Sequence, residues 1–254
     1  MTKVIQFPSR DAGLLDTRRA PFPDFVRALL KRIHLPDNPR VLTFGREVGE
    51  AARMMAEHLQ GHGQFLALHS ATDYKSNARY AIEWRDWSPE RLPLRGGEFD
   101  FVVGARGLMH LEHPPRIVRE MARLLKRGAQ LLLIEADLGG YIATANEEPE
   151  PNASVRLNPY IARELPALCR EAGLQPTDLF PNFIVSPAPL TRGALKDKRV
   201  PLRTLRPRLV HLEQLEFNEY VRGMERIVRD QTGGQTATLL DVAVLAHKTL
   251  APNS

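Results

Sequence analysis

Val41-Leu42-Thr43-Phe44-Gly45-Arg46-Glu47-Val48-Gly49 is the stretch on which the reading of the chain turns. Its first four residues combine β-branched and aromatic side chains in a short apolar run that ends on a glycine, the pattern of a buried strand running into a sharp turn. From Glu47 to Leu59 the apolar positions Val48, Ala51, Ala52, Met55 and Leu59 recur at helical spacing, and Gly61-His62-Gly63 supplies the stop. Strand, glycine turn and helix in that order predict the first unit of an α/β domain.

Working outward, the pattern repeats. Upstream, Pro23-Asp24 opens a short amphipathic helix carrying Phe25, Val26, Leu29, Leu30 and Ile33, ended by Pro36, Asn38 and Pro39. Downstream, Phe65 to Leu68, Ala81 to Trp84, Phe99 to Val103 and Leu131 to Ile134 read as strands, and the last two are the continuous apolar runs that a sheet covered on both faces requires. Between them Ile117, Val118, Met121, Leu124 and Leu125 keep helical period up to Lys126-Arg127-Gly128, read as a basic last turn with a glycine stop. Helices crossing between such strands give parallel pairing with right-handed connections. The fold class is therefore α/β, a doubly wound, mostly parallel seven-stranded sheet.

The C-terminal part is less regular. Tyr160 to Ala172 reads as a helix stopped by Gly173, Asp178 to Val185 as a strand interrupted by Pro181, and Thr238 to Ala246 as the closing strand. Pro187, Pro189, Pro201 and Pro207 make 186 to 210 mostly loop, whereas Leu212, Leu215, Val221, Met224, Ile227 and Val228 suit a long amphipathic helix ending at Gly233-Gly234. The expected organisation is an irregular segment at 1–22, a core at 23–185, a helical and basic cap insertion at 186–234, and the final core strand and tail at 235–254.

Composition narrows the function classes. The 254 residues are 43% hydrophobic and 26% charged, ordinary values for a globule with a full core. A single cysteine, Cys169, rules out an internal disulfide and a multi-cysteine metal cluster, and points to a reducing compartment, read as cytoplasmic. No apolar run reaches the roughly 18 to 20 residues of a membrane span, and MTKVIQFPSRDAG lacks the apolar run of a secretory signal. The net charge of +5 is carried mainly by arginine, with one dense basic cluster of Arg192, Lys196, Lys198, Arg199, Arg203, Arg206 and Arg208. A solvated loop is one reading of that cluster; an anionic substrate, lipid or RNA contact is another.

These residues resemble the class I S-adenosylmethionine (SAM)-dependent methyltransferases, and among them the ubiquinone/menaquinone-type, type 11-like small-molecule enzymes. Val41 to Gly49 falls where that family has its first motif. Phe99-Asp100-Phe101-Val102-Val103, Leu108-Met109-His110-Leu111-Glu112-His113-Pro114, Arg123-Leu124-Leu125-Lys126-Arg127-Gly128 and Leu131-Leu132-Leu133-Ile134-Glu135 follow its later motifs, and Thr238 to Lys248 is similar to its final antiparallel strand. The resemblance spans roughly residues 23 to 250 and implies SAM as cofactor, with the insertion before the last strand covering the substrate.

The resemblance also implies a cofactor site, with departures that have physical meaning. Thr43 stands where an acidic residue supports the SAM amino group. Gly45 and Gly49 let the backbone pass close to the methionyl part, beside helix amides able to face its carboxylate. The middle glycine position is Glu47, which brings bulk and a like charge that Arg46 partly offsets. His69 occupies the position of the acidic residue that takes both ribose hydroxyls, Asp86 that of the aspartate accepting from the adenine amino group, and Trp87 offers a stacking face. Charge-assisted hydrogen bonds contribute about 1.5 to 3 kcal/mol each, so losing two weakens cofactor binding by roughly two to four decades. With so few residues between His69 and Asp86, the helix after strand two is expected to shrink to a turn around Asp73 to Tyr80.

For the chemistry, His110 follows strand four at the mouth of the sheet and is the candidate base for an oxygen or nitrogen acceptor; support of the loop under the cap is its alternative. Glu135 and Asp137 at the end of strand five either orient a substrate or cap the next turn. His113 is expected to face solvent. Tyr141, Tyr160 and Tyr220 are possible pocket linings. No metal site is expected: His58, His62, His69, His110, His113 and Cys169 show no ligand pair in a zinc-like context, and His58 and His62, four apart, straddle a helix end containing Gly61. A G-x-S-x-G elbow and a G-x-G-x-x-G dinucleotide fingerprint are both absent. Two readings remain: a SAM-dependent methyltransferase acting on a small-molecule or lipid-like acceptor, and a pseudo-methyltransferase serving as a protein partner or regulatory subunit, or hosting non-methylating chemistry. RNA methylation is a lesser possibility raised by the basic cluster.

Overall fold

A computed structural model describes residues 22–69, 79–86, 92–142, 158, 160–187, 203–204 and 236–249. The chain begins with α1 (Phe22–Leu30), whose Phe25, Val26, Leu29 and Leu30 are buried at helical spacing. β1 (Arg40–Phe44) then leads through Gly45 into α2 (Val48–His58), followed by β2 (Gln64–His69), β3 (Ile82–Asp86) and β4 (Phe99–Ala105). A 3-10 turn at Leu108–His110 precedes α3 (Pro114–Leu124), which carries two prolines, Pro114 and Pro115, in its first turn, where no helical hydrogen bond is lost. β5 (Leu125–Ile142), α4 (Ile161–Glu171), β6 (Leu174–Pro187), β7 (Arg203–Thr204) and β8 (Thr236–Lys248) complete the order.

The strands form one sheet in the order β3-β2-β1-β4-β5-β8-β6-β7. The first five pair in parallel, and β8 enters antiparallel between β5 and β6. This is the expected doubly wound, mostly parallel architecture, with seven main strands and an eighth of two residues on the edge. Each face is covered. α1 and α2 pack with Val41, Phe101, Val103, Leu132 and Ile134 on one side, whereas α3 and α4 pack with Leu42, Phe44, Val102, Leu131 and Leu133 on the other. At about 1.5 to 3 kcal/mol for each fully buried large apolar side chain, the continuous runs in β1, β4 and β5 drive the sandwiching of the sheet.

Three boundaries differ from the sequence reading. Lys126-Arg127-Gly128 is not the last turn of α3: the helix stops at Leu124 and these residues already belong to β5. Gly128 at φ +76° sits where the register with β4 jumps from Phe99↔Leu125 to Phe101↔Gln130, so the glycine serves a bulge rather than a helix stop. Lys126 turns back to Asp100, Nζ to carboxylate 2.8 Å. Pro181 does not interrupt β6; its register partner is Val242 of β8, and among the described residues the far side of β6 is paired only at Ile184 and Val185, so Pro181 lies on a stretch with one paired side. Within the basic cluster, Arg203 and Thr204 form β7 instead of loop. The expected helix at 212–228, the shortened turn around Asp73 to Tyr80 except for its last two residues, and the rest of the cap insertion lie outside the described residues. No described helix is long and apolar enough to cross a membrane.

Two contacts fasten the ends of the order together. Lys248 Nζ, from β8, donates to the carbonyls of Ala122 and Leu125 at 2.8 and 2.7 Å, capping the C-terminus of α3 with a cation. Gly173 at φ +76° ends α4, as its sequence position predicts.

Candidate active site

β1 and β4 are neighbours, but the chain leaves them toward opposite faces: to α2 on one side, and to the 3-10 turn and α3 on the other. Doubly wound sheets take their ligands in the crevice at such a divergence. The backbone here is closely fitted. Gly45 has φ +112°, and a Cβ on it would stand 2.2 Å from the Ala105 carbonyl oxygen. Gly107 approaches from the other loop, so that its own Cβ would lie 2.7 Å from the Gly45 Cα. The Glu47 N–H donates to the Ala105 carbonyl at 3.1 Å and the Arg46 N–H to the Arg106 carbonyl at 3.4 Å. Only glycine permits this approach of the two loops.

Around this crossing the expected cofactor residues divide. Thr43 is buried, and its hydroxyl donates to the Leu66 carbonyl at 3.5 Å, inside the sheet. Arg46 is exposed, Glu47 is partly buried immediately before α2, and Gly49 lies in the first turn of that helix, whose N-terminus has no side-chain cap. His69 and Asp86 come together through the β2–β3 register: His69 Nδ1 is 3.5 Å from Asp86 Oδ1. The Asp86 carboxylate is open to solvent, whereas the His69 ring is largely covered. Trp87 lies outside the described residues. The tryptophan seen beside His69 is Trp84, edge-on at 6.0 Å between ring centroids. Sequence reasoning missed it, although the alternation of β3 already distinguishes Trp84 from its neighbours.

His110 ends the 3-10 turn after β4; its side chain is not among those described. His113, before α3, is exposed as expected. Glu135 and Asp137 are both buried and both engaged by protein. Glu135 Oε1 accepts the N–H groups of Gly107 and Leu108, each at 2.7 Å, so it caps the turn that leads to His110. Asp137 Oδ2 accepts from Arg163 Nε of α4 at 2.6 Å, and that guanidinium also lies 5.5 Å over the Tyr160 ring. Tyr160 is itself exposed.

The sequence pattern does not single out the residue after β4. Arg106 takes φ +50°, unusual for a side chain with a Cβ, and is buried together with Asp241 of β8. Its Nη2 lies 2.6 Å from both carboxylate oxygens. Asn182 of β6 is the register partner of Asp241, and its buried side-chain amide has no hydrogen-bond partner among the described residues. The one available signal is a charge inside the apolar run Thr238 to Ala246.

Burial controls the protonation of this region. Desolvation raises the Glu135 carboxyl to about 7, against the opposing pull of the Leu108 and Gly107 amides and of the Arg106 charge. Asp241 is also raised by burial, although Arg106 opposes the shift. At the opposite end of the sheet, His34, Asp100, Lys126, Gln130 and His247 help line a cavity of about 340 Å³. It lies at the N-terminal ends of β4 and β5, away from the crevice.

Comparison with known proteins agrees with this architecture. Residues 42–133 match the family model described as a methyltransferase domain. The sheet around this segment has the Rossmann-like fold of the class I methyltransferases. Among solved structures, a Bacillus halodurans protein provisionally assigned as a methyltransferase superposes with a TM-score of 0.58 at 18% identity, over 88% of this chain and 99% of that one. A Haloferax volcanii protein with a similarly provisional methyltransferase assignment, in complex with the Trm112 methyltransferase activator, gives 0.57 at 16% identity, over 94% and 93%. The cyclase SpnF gives 0.54 at 16% identity, over 98% and 89%. At these identities the likeness is one of fold. No curated protein sequence matches the chain.

Proposed function

We propose that the chain is a SAM-dependent methyltransferase that modifies a small-molecule or lipid-like acceptor. The observation that carries this reading is the crevice at the β1–β4 divergence, inside the segment that matches the methyltransferase domain. Two features support cofactor binding at this crevice. The uncapped N-terminus of α2 offers amides to a carboxylate, and Asp86 with His69 offers an acceptor and an imidazole to the nucleoside. Gly45 lets the loop after β1 lie against the Ala105 main chain at the floor of the crevice, an approach that any Cβ would block. SAM supplies a methyl group on a sulfonium, an electrophile ready for in-line displacement.

The chain's own contribution is alignment, exclusion of water and handling of a proton. In this reading His110, on the turn after β4, accepts the acceptor's proton, and Arg46 offsets the negative charge that Glu47 brings to the helix entrance. Calorimetry with SAM and with S-adenosylhomocysteine tests the reading: saturable binding at micromolar concentration supports it, and no heat near millimolar concentration overturns it.

One observation favours a second reading. Thr43 turns its hydroxyl into the sheet and presents no carboxylate to an ammonium group, and the Arg46 and Glu47 amides are spent on the β4 end. A fold that keeps its pocket while losing methyl transfer, as a partner subunit or with other chemistry, is consistent with these contacts. The same titration separates the two.

A further inference from the structure

Two consecutive amides of the turn that leaves β4 meet a single buried oxygen. Glu135, on β5, accepts two consecutive backbone N–H groups through Oε1, those of Gly107 and Leu108, both at 2.7 Å. A three-residue 3-10 turn leaves its first amides without intrahelical partners, and no side chain of its own sequence caps this one. The other oxygen, Oε2, is buried and has no hydrogen-bond partner among the described residues. The carboxylate is therefore committed to the turn.

What the turn carries makes that commitment matter. Gly107 is the residue against which Gly45 is seated, and Gly45 in turn fits under the Ala105 carbonyl. A continuous line of contact thus runs from Glu135 Oε1 through Gly107 to the glycine loop after β1. We propose that Glu135 is a positioning residue: it fixes the Gly107–Leu108 amides, and through them the seat of Gly45 and the height of the cofactor crevice. The consequence for cofactor affinity rests on the methyltransferase reading above; the consequence for the turn does not.

The charged groups around Glu135 set how this hold responds to pH. Arg106, on the turn itself, is the facing cation, and it is shared with Asp241 of β8. On β5 the nearest acid is Asp137, which is engaged by Arg163 of α4. Protonation removes the charge from an acceptor of two amides and weakens both bonds. Burial already favours the protonated form, so the change falls near neutral pH.

Amide hydrogen exchange on the full chain tests the first part without any cofactor. In Glu135→Ala the Gly107 and Leu108 amides should exchange at least about tenfold faster than in the parent, while the amides of β1 and β4 stay protected. Glu135→Gln keeps a carbonyl oxygen for the two amides and should retain most of the protection. Titration with S-adenosylhomocysteine tests the second part. The parent should bind about threefold to tenfold more weakly at pH 6 than at pH 8, and Glu135→Gln should show a flat response. If Glu135→Ala does not fold, the comparison of Glu135→Gln with the parent at the two pH values decides. Unchanged exchange at Gly107 and Leu108, or a pH response that survives in Glu135→Gln, overturns the proposal. A parent chain that binds no S-adenosylhomocysteine yet shows the exchange pattern overturns the methyltransferase reading and leaves the role of Glu135 in the turn standing.

Discussion

Arg106 and Asp241 form a buried ion pair across 135 positions of sequence, with one guanidinium nitrogen 2.6 Å from both carboxylate oxygens. The pair ties the turn after β4 to β8 and holds Arg106 in a left-handed conformation. Removing one member leaves the other charged and buried, so Asp241→Ala should cost about 3 to 5 kcal/mol. Arg106→Met with Asp241→Leu should recover most of that loss. Urea denaturation of the three proteins checks the prediction; an Asp241→Ala chain as stable as the parent contradicts it.

Gly45 should tolerate no side chain. Its φ of +112° and the 2.2 Å that would separate an added methyl from the Ala105 oxygen act together. Gly45→Ala is expected to lose about 2 to 4 kcal/mol, because strained backbone and a clash with a main-chain atom cannot both be relieved by moving a flexible neighbour. The melting temperature reads this directly, and an unchanged value would mean that the two loops are free to part.

Stability should fall as pH rises through the acid range. Glu135 holds its proton more tightly in the folded protein, at about 7 against an ordinary 4.5. Its contribution is therefore fully present below about pH 4.5 and is lost as pH approaches about 7, for a total of about 3 kcal/mol. Asp241, raised by the same cause, slopes in the same direction. Glu135→Gln should flatten the curve of unfolding free energy against pH over this interval, which urea titrations at several pH values would record.

Glu47 is the side chain to remove if cofactor affinity is to rise. Glu47→Gly deletes bulk and a negative charge at the entrance to α2, at a helix-dipole cost below about 1 kcal/mol. S-adenosylhomocysteine should then bind about tenfold more tightly by calorimetry, a gain of about 1.4 kcal/mol. Adding Thr43→Asp, which the sequence alone recommends, is disfavoured: position 43 is buried with its side-chain oxygen against the Leu66 carbonyl, which would repel a carboxylate.

Asp86 is exposed at the end of β3 and bonded only loosely to His69. Asp86→Asn should leave the melting temperature within about 1 °C while weakening S-adenosylhomocysteine about tenfold to a hundredfold. Equal affinities for the two proteins would remove Asp86 from the proposed nucleoside edge.

Local pattern is enough for most of the sheet. The runs at Val41 to Phe44 and Phe99 to Val103 declare their burial by themselves, and the helical period from Val48 to Leu59 can pack only one way against them. Gly128 is ambiguous because a positive-φ glycine suits a helix stop and a strand bulge equally well, and only the register with Phe99 and Phe101 distinguishes the two. Pro181 reads as a break because a sequence does not disclose which strand edge is unpaired. Around the crevice, the positions of Gly45, His69 and Asp86 at the ends of β1, β2 and β3 are legible through the order of the strands. Arg106, Asp241 and Asn182 are not, since their meaning comes from partners on strands far apart in the chain. Trp84 and Trp87 illustrate the same limit at short range: either can flank His69 until the pairing of Ala67 with Trp84 is known.

The placement of β8 between β5 and β6 has a bearing on how the molecule is made. During synthesis the parallel half can pair as it emerges, yet its β5 border stays open until residues 236–248 are available to fill it. Until then two long apolar borders, on β5 and β6, are exposed to neighbouring chains, which makes stalled or clipped products of this protein prone to aggregate. Chaperone demand should accordingly peak late in translation, and a β8 peptide supplied in trans should rescue solubility of a chain ending before residue 236.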